Sequence, residues 1–237
     1  MEIKIFDSPI ETAQAFAAFM LEKHKERGKL NIALSGGSTP KILFDILAKD
    51  YHDRFDWAKI NLYWGDERCV PPTDDESNYK MTLDHLLSKV NIPEKNIHRI
   101  KGEEDPSEEA QRYDNLIETN LPSEEDNPVF DIVILGMGTD GHTASIFPYE
   151  IELLDSTNNC EVATHPDSGQ KRITLTGPVI NQARNICFLV TGDNKKEKIK
   201  QIVEGTELAK NYPAFHINAK HGELIWFIDE AAGAYLN

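Results

Sequence analysis

The densest chemistry in the chain is the run Gly136-Met137-Gly138-Thr139-Asp140-Gly141-His142-Thr143-Ala144-Ser145-Ile146-Phe147-Pro148. His142 is the side chain best suited to proton transfer near neutral pH, and Asp140 stands two residues away as an orienting carboxylate. A lone histidine is more often structural than catalytic; on a glycine loop the two readings stand level. Residues 136–141 also match G-x-G-x-x-G, and Asp155 follows near the place of a ribose-binding acid. A dinucleotide site needs a full helix running on from the third glycine. Pro148 would stop or kink that helix.

Two further clusters carry functional groups. In Ser35-Gly36-Gly37-Ser38-Thr39-Pro40 the glycines let backbone approach an anion, the hydroxyls add donors, and Pro40 suits the first turn of a helix. Gly36, Gly37, Ser38 and Thr39 therefore read either as a phosphate cradle or as an ordinary turn with Thr39 as N-cap. No lysine follows in the register of a GxxxxGK[ST] loop. In Trp64-Gly65-Asp66-Glu67-Arg68-Cys69-Val70-Pro71-Pro72, composition favours a solvated turn, while Arg68 has the planar fork that grips phosphate or carboxylate. Cys69 reads as a small packing residue. A Ser-His-Asp set could be drawn from Ser35 or Ser38, His142, and Asp66 or Asp140, but no G-x-S-x-G elbow presents the serine. His165, His216 and His221 lack metal-ligand spacing, so no metal is assigned.

Positioning these loops requires strands. Apolar runs at 3–6, 31–34, 60–64, 131–135, 186–191 and 224–228 alternate with helical patterns, the signature of an α/β fold with a mostly parallel sheet. Several runs lack alternation, as expected for strands buried on both faces. Ser8-Pro9-Ile10-Glu11 offers an N-cap serine, a proline at the first helical position and a glutamate three residues after the cap, opening a helix to about Arg27 that Gly28 ends. In a parallel sheet, the three loops after 31–34, 60–64 and 131–135 gather at the carboxyl edge, where open α/β sheets bind ligands. Residues 103–126 hold ten acids and one base and read as a solvated helix followed by a surface loop.

Charge narrows the function. Forty Asp and Glu against 25 Lys and Arg leave −15, which speaks against nucleic acid or a polybasic membrane surface as partner. An anionic ligand would need a local cluster of bases. At 237 residues, with 40% hydrophobic side chains and no repeat or linker, the chain is expected to form one domain, 1–237. Three cysteines without CxxC spacing, no signal-peptide pattern and no long apolar run suggest a soluble cytoplasmic protein.

The segments SGGSTP at 35–40, WGDERCVP at 64–71, ESNY at 76–79, LGMGTDGHTASIFP at 135–148, RITLT at 172–176 and WFIDEAA at 226–232 together resemble the 6-phosphogluconolactonase family. That resemblance implies a modified Rossmann-like three-layer α/β/α fold shared with glucosamine-6-phosphate deaminase and ribose-5-phosphate isomerase. It implies hydrolysis of 6-phospho-D-glucono-1,5-lactone to 6-phosphogluconate in the pentose phosphate pathway, without a cofactor and with only a small sugar-phosphate partner; a monomer is expected. By the same resemblance His142 is the general base, Arg68 and Arg172 bind substrate, the 36–39 backbone holds the 6-phosphate, and Lys195 lies near it. Asp66 and Asp140 are left as candidates for orienting His142 or gripping sugar hydroxyls. The deaminase reading meets two departures: Gly65-Asp66-Glu67-Arg68 stands where that family has an MDEY-like segment, and Ser145-Ile146 stands where it has a catalytic glutamate. A non-catalytic sugar-phosphate sensor is the other reading, against which the first strand at residue 3 leaves no room for a preceding helix-turn-helix.

Overall fold

A seven-stranded parallel sheet forms the centre of the computed structural model, which describes residues 1–125 and 127–236. The chain opens with β1 (Glu2–Phe6), α1 (Pro9–Arg27), β2 (Leu30–Leu34), α2 (Ser38–Asp50) and β3 (Ile60–Trp64). Next come β4 (Asp66–Arg68), α3 (Asn78–Thr82), β5 (Ile97–His98), α4 (Pro106–Asn120) and the paired β6 (Ser123–Glu124) and β7 (Asn127–Pro128). The second half supplies β8 (Ile132–Leu135), β9 (Cys160–Thr164), β10 (Lys171–Leu175), α5 (Gly177–Asn181), β11 (Asn185–Val190), α6 (Lys196–Glu204), α7 (Pro213–His216), β12 (Glu223–Asp229) and α8 (Glu230–Gly233).

Local signals act as their chemistry dictates. The Ser8 hydroxyl accepts the Glu11 N–H at 3.2 Å, Pro9 occupies the first turn of α1, and Gly28, at φ +76°, closes the helix by donating to the His24 carbonyl. Strands β2, β3, β8 and β11 are buried along their whole length. Flanking layers cover both faces, which is why no polar alternation marks these strands.

Strand order is β1-β12-β11-β8-β2-β3-β5. From β2 the chain moves outward through β3 to β5; from β8 it moves the opposite way through β11 to β12. The direction reverses between β2 and β8, so the loops leaving their carboxyl ends diverge and open a crevice.

The DER segment is not the solvated turn its composition favours. Asp66–Arg68 forms the edge of a small antiparallel sheet, β4-β10-β9, with Asp66 and Glu67 buried. Three residues are too short to show a period in sequence; pairing with β10 makes them a strand.

Helix α4, at the head of the acidic segment, has a buried face. Its Tyr113 hydroxyl accepts the Trp64 N–H at 2.8 Å and donates to the Trp64 carbonyl at 3.0 Å, completing β3 where β5 no longer pairs with it. Removing that hydroxyl leaves two buried backbone groups unmet, so Tyr113→Phe is expected to lose about 2 kcal/mol in urea unfolding. Unchanged stability would show that the Trp64 edge finds another partner. Asp126, the last acid of the segment, lies outside the described residues.

Candidate active site

A cleft opens at the switch point. Its walls are Ser35, Gly36 and Gly37 after β2, Gly136 to Gly138 with His142 and Ala144 after β8, Asp66 and Arg68 on β4, Asn78 on α3 and Arg172 on β10.

The β8 loop is a folded turn rather than a helix, which removes the dinucleotide reading. Asp140 Oδ1 lies 2.6 Å from His142 Nδ1 and also accepts the His142 backbone N–H at 3.1 Å. An ionised carboxylate obliges Nδ1 to donate, so Nε2 carries the lone pair. Burial would raise the Asp140 pKa, but the hydrogen bond and charge of His142 outweigh it and hold the carboxyl at about 2. Its native pKa is thus depressed below the ordinary 3.8, so its stabilisation is present above pH 4 and lost as pH falls through about 2. Partial exposure makes the effect shallow. Thermal unfolding of Asp140→Asn between pH 4 and 2 should therefore fall less steeply than wild type; parallel curves would contradict the coupling.

Close packing leaves Gly138 no room for a side chain, because a Cβ there would fall 2.2 Å from His142 Nδ1. Gly36 is similarly confined, with a Cβ 1.9 Å from Asn78 Oδ1. Ala144 adopts φ +48° in a turn closed by the Ile146 N–H and Thr143 carbonyl. That turn aims Ser145 at β4, where its hydroxyl donates to Asp66 Oδ2 at 2.6 Å while Asn78 Nδ2 donates to the Asp66 carbonyl at 2.9 Å. Asp66 is thereby held on the cleft wall, and it is Asp140 that contacts the His142 imidazole.

Arg68 and Arg172 are directly opposed across β4 and β10. Both have a buried Nε without a partner among the described residues, and the Arg172 guanidinium lies 5.8 Å from the Phe147 ring centroid. Burial, then the Arg68 charge, lowers the Arg172 pKa. Two like charges placed side by side repel each other, and an anion bound between them would relieve that repulsion. Glu67 beneath them is structural: it accepts the backbone N–H groups of Arg68, Asn78 and Tyr79 and the Ser77 hydroxyl. Its burial raises its pKa against the pull of those amides. Burial and the Glu67 charge push the Cys69 thiol up to about 11, consistent with packing rather than nucleophilic work.

The family model for glucosamine-6-phosphate isomerases/6-phosphogluconolactonase matches residues 8–226. The chain belongs to this family. It is 46% identical over 196 residues to 6-phosphogluconolactonase of Treponema pallidum, covering 81% of each chain, and 44% identical over 223 residues to that of Haemophilus influenzae, covering 93% of this chain and 91% of the relative. The crystal structure of the devB protein superposes with a TM-score of 0.95 at 41% identity, covering 100% of this chain and 99% of the other. The three-layer α/β/α fold expected from sequence is the fold of this family.

Of the residues singled out in the sequence, Gly36, Gly37, Asp66, Arg68, His142 and Arg172 line one cleft, with Asp140 behind His142. Ser38, Thr39 and Lys195 do not line it. Thr39 is not the N-cap of α2; Gly37 is, with no side-chain cap bond, and the Thr39 hydroxyl pairs with that of Thr191 at 2.8 Å. This contact brings the start of α2 to the loop that carries Lys195. Lys195 is half-buried and its pKa is lowered by burial, against the attraction of Asp140. Asn78 and Ser145 were given no role in sequence, although both lie in segments that carry the resemblance. Among the described residues, no group of three or more His, Cys, Asp or Glu has the arrangement of a metal site.

Proposed function

We propose that the chain hydrolyses 6-phospho-D-glucono-1,5-lactone to 6-phospho-D-gluconate, with His142 as general base. The observation that carries this reading is a histidine fixed through Nδ1 by Asp140 in the same cleft as two neighbouring arginines whose buried Nε atoms have no partner among the described residues. His142 Nε2 takes a proton from water as the oxygen attacks the lactone carbonyl. Arg68, Arg172 and loop amides offset the negative charge on the tetrahedral intermediate, and the imidazolium returns its proton to the ring oxygen as the C–O bond breaks. The loop before α2 and its first residues, Gly36, Gly37, Ser38 and Thr39, together with Lys195, are assigned to the 6-phosphate. Asp66, held by Ser145 and Asn78, is assigned to a sugar hydroxyl. Local bases thus meet an anionic substrate in a chain of net charge −15.

Support for a single domain comes from one continuous hydrophobic core. Three free cysteines support a cytosolic setting. No helix among the described residues is long and apolar enough to cross a membrane.

The test is proton release from fresh 6-phosphogluconolactone above the uncatalysed rate, with ammonia release from glucosamine 6-phosphate measured alongside. Lactone hydrolysis without deamination is expected. Deamination would transfer the assignment to the other branch of the family, and sugar-phosphate binding without turnover would indicate a sensor.

A further inference from the structure

The loop that carries His142 is gripped from both sides. On one side the imidazole lies against Gly138, where a Cβ would collide with it. On the other, Gly141 sits at φ +91°, and a Cβ there would fall 2.5 Å from Tyr212 Cγ, so the tyrosine ring packs directly on the backbone preceding His142. The Ala214 N–H, two residues beyond Tyr212, donates to the Gly141 carbonyl at 3.1 Å. The tyrosine is anchored at its far end as well. Its hydroxyl donates to Gln201 Oε1 at 2.6 Å, and the Lys198 ammonium donates to the Tyr212 hydroxyl oxygen at 3.4 Å and lies 4.4 Å from the ring centroid. Gln201 and Lys198 both belong to α6, and Lys195 immediately precedes this helix.

Lys198 has a further peculiarity. Lys196 and Lys200 on the same helix pair with Asp193 and Glu204, whereas Lys198 has no ion-pair partner among the described residues and lies over the tyrosine instead. A cation over an aromatic face with a hydroxyl in reach restricts the ring to one place. A glycine at positive φ in the catalytic loop has wide backbone freedom. The ring occupies the space into which that backbone would relax.

We propose that Tyr212 is a positioning residue for His142, its ring bracing Gly141 and its hydroxyl tying the catalytic loop to α6. The proposal deepens the lactonase reading and rests on His142 as base. It also gives Lys195 a mechanical link to the reacting centre: phosphate held at the start of α6 steadies the helix that steadies the loop. Loss of the brace widens the distribution of the His142–Asp140 geometry, which costs turnover rather than substrate affinity.

The experiment compares Tyr212→Ala and Tyr212→Phe with wild type and His142→Ala in full-length protein. It measures kcat and KM for 6-phosphogluconolactone, melting temperature, and the imidazole ¹⁵N shifts of His142 without ligand. Tyr212→Ala is expected to lower kcat about 10–100-fold with KM little changed, and to move the His142 shifts toward exchanging tautomers. Tyr212→Phe, which retains the ring, is expected to fall between Tyr212→Ala and wild type. A folded Tyr212→Ala protein with wild-type kcat and unmoved His142 shifts overturns the proposal; so does a loss fully accounted for by an unfolded fraction. If Tyr212→Ala fails to fold, the same readouts on Tyr212→Phe decide, and wild-type values there overturn the role of the hydroxyl tie. Full activity in His142→Ala would remove the base assignment, while the imidazole shifts would still decide whether Tyr212 positions that side chain.

Discussion

His142→Ala is expected to lower kcat for lactone hydrolysis by about 10³-fold while leaving binding of 6-phosphogluconate within a few-fold of wild type. The alanine removes the His142 imidazole from the cleft wall but leaves both arginines and the loop before α2 in place. Asp140→Asn should approach the same loss by another route. An asparagine that turns its amide N–H toward Nδ1 favours the tautomer protonated at Nε2, and the lone pair that accepts the water proton is gone. A steady-state assay corrected for spontaneous hydrolysis, with product binding by calorimetry, reads both effects. Wild-type kcat in His142→Ala would remove the histidine from the mechanism, whatever the chain hydrolyses.

Arg172→Met separates binding from stability in opposite directions. Arg68 and Arg172 are cross-strand neighbours, and Arg68 lowers the Arg172 pKa after burial has already done so. In the free protein this is a repulsive pair, so removing one charge should leave stability unchanged or raise it by up to about 1 kcal/mol. Methionine retains an apolar contact over Phe147, which limits the loss of packing. Affinity for 6-phosphogluconate should fall about 10–100-fold, the size of one or two hydrogen bonds to a charged group. Urea unfolding and calorimetry on the same sample check the two signs. Lower stability with unchanged affinity would make Arg172 a packing residue of β10. The kinetics then locate the contact: a rise in KM alone means uniform substrate binding, and a matching fall in kcat means stabilisation of the transition state.

Much of the fold is legible because its signals are local. A strand covered on both faces carries apolar residues on both, so β2, β3, β8, β11 and β12 stand out as short apolar runs with a polar residue, where there is one, at or next to an end. Ser8, Pro9, Glu11 and Gly28 mark the ends of α1 through contacts within one turn of helix. The gathering of three loops at one sheet edge follows from parallel strands alone. Strands β4 and β5, at three and two residues, escape a periodic reading because their existence depends on partners elsewhere in the chain. The Thr39 hydroxyl could cap its own helix by local chemistry, yet Thr191 takes it instead.

The candidate site divides in the same way. By itself the sequence placed His142, Arg68 and the 36–37 glycines at one sheet edge and put Asp140 within reach of His142, because a carboxylate two residues away on a glycine loop needs only a turn to meet the ring. Only the tertiary structure decided that Asp66 is held by Ser145, 79 residues distant, that Arg172 opposes Arg68, and that Tyr212 braces Gly141. These contacts join segments that are strangers in sequence. Their free energy comes from burial and pairing across the whole chain, and no local period or capping pattern records it.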